Sequence, residues 1–147
     1  MNVETVAPAV DAAKIRRADL HSILVSLEAR IAAAAPGREM SWAEGVRSEL
    51  ARLGDAFAEH VGATEGDEGF FAHVRRRAPR LDYMCGRLTD DHATIAAELA
   101  DATAALERGV SDARESVLSL LAHLARHRQL GADLIYEAYA VDLGGSD

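Results

Sequence analysis

Aromatic residues make up only 5% of this 147-residue chain, and runs of β-branched residues are almost absent. That composition argues against strands, which draw on both residue types, and favours helix. Cys85 is the single cysteine, so no intrachain disulfide can form and nothing points to an oxidising compartment. No window approaches the roughly 18 uninterrupted apolar residues of a membrane-spanning helix. The first residues, MNVETVAPAV, have neither the basic start nor the apolar run of an export signal. A cytoplasmic location is the expectation. Positive charge is also in short supply: 16 basic residues are scattered among 24 acidic ones, for a formal net charge of -8. No basic field is available to attract nucleic acid or anionic lipid, and both are excluded as expected partners. The glycine-rich phosphate motifs GxGxxG and GxxxxGK[ST] are missing, no serine lies in a nucleophile elbow, and Cys85 has no motif around it.

What the chain does have is apolar material, 49% of its residues, enough for one continuous core, so residues 1–147 are expected to form one domain. Breaks are marked by Pro36-Gly37, Gly62 and Gly66, Pro79, and Gly109. They predict four long helices at about 9–34, 41–62, 79–107 and 110–140, with a short apolar turn or helix around Phe70, Phe71 and Val74. Ser41 with Glu44 has the spacing of a capping box. Pro79 suits a first helical turn, and Ser111-Asp112 offers a cap to the fourth helix. The segment from Asp142, DLGGSD, reads as a helix stop.

Residues three and four apart share a helix face, so the apolar stripes define the core. On the second helix Val46, Leu50, Leu53 and Phe57 lead to His60. The third carries Leu81, Met84, Leu88, His92, Ile95, Leu99, Ala102 and Leu106, and the fourth Val117, Leu120, Leu124, His127, Gly131, Leu134 and Ala138. On the first, Leu20, Leu24, Leu27 and Ile31 set the face, and His21 lies about 100° from Leu20, at its edge. Thus each helix brings one histidine to or near the core. Buried imidazoles need partners for both nitrogens, and a core of Leu, Ala and Val supplies almost none, so converging histidines call for a shared metal ion. His92 lies 17 residues before Gly109 and His127 18 after, which places them level in a hairpin. About Pro36-Gly37, His21 and His60 are offset by ~9 Å at 1.5 Å per residue. His73 and His123 fall off the stripes and are expected outside the site, although His123 precedes His127 by one turn.

In order and spacing, the pieces DLHSIL, EHVGATEGDEGFF, RAPRL, DDHATI and HRQLGADLIYEAYAVDLGG resemble the hemerythrin-like, cation-binding family. The resemblance covers nearly the whole chain. It implies an up-down antiparallel four-helix bundle with His21, His60, His92 and His127 as metal ligands. It further implies one or two non-heme irons, with oxygen, nitric oxide or peroxide as the small ligand. Family members place bridging carboxylates about one turn after the histidines of the second and fourth helices. Here those positions hold Thr64 and Gly131, neither of which can bridge. Glu65 is the nearest substitute, on condition that the helix ends or bulges among Gly62 to Gly66. Asp133 and Glu137 point away or lie too far along the axis.

Two other functions compete with the binding or sensing of a small ligand. One is an oxygen-activating oxidase or oxygenase, with Tyr136, Tyr83 or Cys85 as candidate neighbours of the centre. The other is a metal-free helical interaction module. A histidine-rich, carboxylate-poor site also suits one ion rather than two.

Overall fold

The computed structural model describes the backbone of residues 3–141 and the side chains of residues 18–139. Among these every regular element is helical: α1 (Val3–Ala32), α2 (Glu39–Glu65), α3 (Phe70–Arg77), α4 (Asp82–Ala105) and α5 (Val110–Ile135). A 3-10 turn at Pro79–Leu81 leads into α4, another at Leu106–Arg108 closes it, and α5 continues as a π-helix over Tyr136–Val141. The four long helices pack in a ring, α1 on α2, α2 on α4, α4 on α5 and α5 back on α1. Each therefore needs an apolar face toward a common interior, and the stripes supply it. Leu27, Val46, Leu50, Leu53, Ile95 and Leu120 are fully buried. Truncating one such leucine to alanine costs about 2–5 kcal/mol, depending on how far the cavity collapses.

Several boundaries differ from the sequence expectation, and the differences are chemical. The first helix begins at Val3 rather than near residue 9, so Pro8 lies inside α1 at the loss of one backbone hydrogen bond. Ser41 is not a cap. α2 starts two residues before it, after Arg38, and Ser41 is exposed within its first turn. The Glu39 carboxylate instead accepts from the Gly37 amide at 3.0 Å, and Gly37 adopts a positive φ of 81° that favours glycine. At the last hairpin Gly109, at φ 117°, caps α5 in place of Ser111. Asp112 does lie in the first turn, where its charge complements the helix dipole. The helix stop expected from Asp142 lies outside the described residues. No helix among the described residues is long and apolar enough to cross a membrane.

The buried apolar side chains form two clusters rather than one. The larger joins α1, α2, α4 and α5 through Leu27, Leu50, Phe57, Ile95, Leu120 and Leu124. The smaller joins α3, α4 and the end of α5 through Phe71, Val74, Cys85, Leu88, Leu134 and Ala138. Histidines occupy the stripe positions where one cluster gives way to the other.

Candidate metal centre

His60 of α2, His92 of α4 and His127 of α5 meet inside the bundle. One nitrogen from each lies within 4.8 Å of the other two. The ring centroids of His60 and His92 are 5.0 Å apart, those of His92 and His127 4.9 Å, and those of His60 and His127 5.6 Å. Phe57 and Phe71 pack on the His92 ring at centroid distances of 5.6 and 5.8 Å, holding it between the two apolar clusters.

The outer nitrogens identify the inner ones. Nδ1 of His92 is 2.5 Å from a carboxylate oxygen of Glu65, and Nδ1 of His127 is 3.2 Å from one of Asp91. A neutral imidazole has one N–H and one lone pair, so an Nδ1–H that donates to a carboxylate leaves the lone pair on Nε2. Nε2 of His127 faces Nε2 of His60 at 3.5 Å. Nε2 of His92 is buried without a hydrogen-bond partner. Two nitrogens each ~2.05 Å from a tetrahedral ion are roughly 3.3 Å apart, so the separation between His60 and His127 already suits a shared cation.

Electrostatics follow from burial. His127 is held below the usual imidazole pKa mainly by burial, which the hydrogen bond to Asp91 partly opposes. Burial would raise the Asp91 carboxyl, yet hydrogen bonds from His127 and His123 outweigh it and keep the pKa below 3.8. Neutral imidazoles backed by ionised carboxylates are the protonation states that a cation requires. His123 extends the network outward, with Nε2 3.3 Å from Asp91 and Nδ1 3.0 Å from Glu98.

Other sequence-selected residues are placed differently. His21 is exposed on α1 and is not in the trio: with Leu20, Leu24, Leu27 and Ile31 inward, position 21 turns about 100° outward. α2 ends at Glu65, within the expected window among Gly62 to Gly66, but the carboxylate there meets the outer nitrogen of His92 and does not belong to the converging trio. Thr64 is buried and bonds back to the carbonyls of His60 and Val61. Asp133 accepts from Gln129 on the exposed face, and Glu137 pairs with Arg80 at 3.4 Å. Tyr83 and Tyr136 are exposed, while Cys85 is buried in the smaller cluster, where burial raises its thiol pKa.

Asp91 is the functional residue that the sequence reading missed. The signal was present: Asp91 is 18 residues before Gly109 and His127 is 18 after, so the hairpin places them level.

A cavity of about 570 Å³ adjoins the centre. His60 and His127 form part of its wall, with Gly131, Phe57 and Leu124 beside them. Nothing lies within 4 Å of a Cβ built on Gly131, so the missing side chain leaves open space there. The chain matches no protein-family model, no curated protein and no solved structure.

Proposed function

We propose that His60, His92 and His127 hold one divalent first-row metal ion through their Nε2 atoms, and that this ion binds or reacts with a small ligand in the adjoining cavity. The observation that carries the reading is the buried Nε2 of His92, which has no hydrogen-bond partner and faces two other imidazoles. Leaving it so costs about 1–3 kcal/mol, which a coordinate bond removes. The carboxylates of Glu65 and Asp91 fix the ring orientations and increase ligand basicity.

Hemerythrin-like architecture, with up-down antiparallel helices, is the framework this reading adopts, and ferrous iron is the ion the resemblance implies. Oxygen, nitric oxide and peroxide are the corresponding ligands. A bound ion would supply Lewis-acid or redox chemistry to a small ligand. The protein's own part is to orient the three imidazoles and shield the centre between Phe57 and Phe71.

A second reading is supported by one observation: no carboxylate belongs to the converging trio. Three neutral imidazoles and a water make a zinc site of the open kind. Loading metal-free protein with ferrous iron under nitrogen and then admitting nitric oxide or oxygen separates the two. The iron reading expects a new visible absorption band; protein that takes up only zinc and stays colourless favours the second.

A further inference from the structure

The cavity beside the centre is far larger than a diatomic ligand requires. Its volume of about 570 Å³ lies in the ~300–1,000 Å³ range of sites for organic molecules, whereas a liquid water occupies only ~30 Å³. Much of the wall is apolar, contributed by Leu20, Leu24, Phe70, Leu134 and Ile135. Three polar side chains also line the space, His73 and Arg76 from α3 and Arg128 from α5. Nε2 of His73 and Nε of Arg128 are buried with no hydrogen-bond partner. Neither Arg76 nor Arg128 forms an ion pair within the described residues. Glu68 is the one acid in the wall, and it is exposed. Just behind, Arg77 lies over the Tyr139 ring that His73 stacks on, and its Nε is likewise buried and unpartnered.

Buried donors without acceptors are costly, and an anionic head group entering this largely apolar cavity would relieve them. We propose that the cavity binds an amphipathic carboxylate, its head group on Arg128, Arg76 and His73 and its apolar body along Leu20, Leu24 and Ile135, beside the histidine centre. The placement beside a metal ion rests on the preceding reading; the anion site does not. The donors satisfied are all N–H groups of this chain, so no metal is needed to hold the head group. Burial, then the charges of Arg76 and Arg77, keeps His73 below the usual imidazole pKa, so it enters the site as a neutral ring and the arginines carry the charge.

Calorimetric titration of octanoate into protein freed of metal by chelation tests the anion site, with octanol and inorganic phosphate as controls. Octanoate should bind at least about tenfold tighter than either control, the difference that one charge-assisted contact provides. Arg128→Gln should lose about tenfold in affinity, and Arg128→Lys should recover part of it. Arg76→Gln, at an exposed position that folding does not depend on, should also weaken binding. Equal affinity for octanol, equal affinity for phosphate, no octanoate binding, or binding indifferent to both arginines would overturn the proposal. The same titration on cobalt-loaded protein, followed by visible absorption, tests the metal reading separately. Tight, arginine-dependent binding by a chain that takes up no cobalt supports the carboxylate site and removes the metal centre.

Discussion

The carboxylate of Glu65, at the end of α2, accepts a hydrogen bond from Nδ1 of His92 on α4 at 2.5 Å. The contact spans 27 residues of sequence and sets which nitrogen of a buried imidazole faces the interior. Asp91 does the same for His127.

Removing either negative charge while preserving shape should weaken metal binding without unfolding the chain. Glu65→Gln and Asp91→Asn are each expected to lose about 10–100-fold in metal affinity, the usual effect of such outer carboxylates. Both acids are about one-third exposed at the side chain, so neither variant strands a buried group. Competition against a chromophoric chelator measures the loss, and wild-type affinity in both variants would contradict the orienting role.

His21→Ala should leave metal affinity within about twofold of wild type, since a side chain in solvent gives up nothing on truncation. His92→Leu should abolish binding and with it the metal-induced rise in melting temperature. At a free metal concentration of 100 Kd that rise corresponds to ~2.7 kcal/mol, or roughly 5–10 °C for a chain of this size. Differential scanning calorimetry with and without metal compares the variants; retained stabilisation in His92→Leu would remove His92 from the site.

The contrast between these two histidines shows how much the sequence disclosed. A 3.6-residue period places His60, His92 and His127 in line with leucines that are buried, and all-helical packing with four long helices followed from the same stripes. His21 failed the same criterion, one position off its stripe. What periodicity alone did not disclose depends on contacts between helices. Glu65 and Asp91 lie on different helices from one another, and their partners are selected by tertiary register. Helix ends were hardest to read: the Ser41 hydroxyl has the right spacing for a cap, but the chain turns earlier, at Gly37.

Metal-free protein should become less stable as pH falls below neutrality. Burial lowers the pKa of His127 from 6.5 in the folded chain, so the unfolded chain takes up that proton first. The stability difference is fully present above about pH 6.5 and is lost progressively as pH falls from there through the folded pKa. His73 is shifted in the same direction and adds to the slope. The urea midpoint of chelated protein should therefore be lower at pH 5.5 than at pH 7.5, with a smaller drop in His127→Leu. An unchanged or higher midpoint at pH 5.5 would contradict this.

Gly131→Ala should raise stability. The position is helical, its Cβ would meet nothing within 4 Å, and alanine is favoured over glycine there by ~1 kcal/mol. The melting temperature should increase by roughly 2–4 °C with metal binding retained. Gly131→Phe, by contrast, should fill part of the cavity and exclude organic ligands; octanoate binding unchanged in that variant would place the ligand elsewhere.

One metal ion per chain, held by His60, His92 and His127, is the stoichiometry that the converging imidazoles call for. Elemental analysis of untagged protein, reconstituted anaerobically with ferrous iron and freed of weakly held metal on a desalting column, counts it directly. One ion per chain in the wild type, and none in His60→Ala, His92→Ala or His127→Ala variants that remain helical, is the predicted result. Two tightly held ions per chain, or metal retained when any of the three imidazoles is removed, would contradict it.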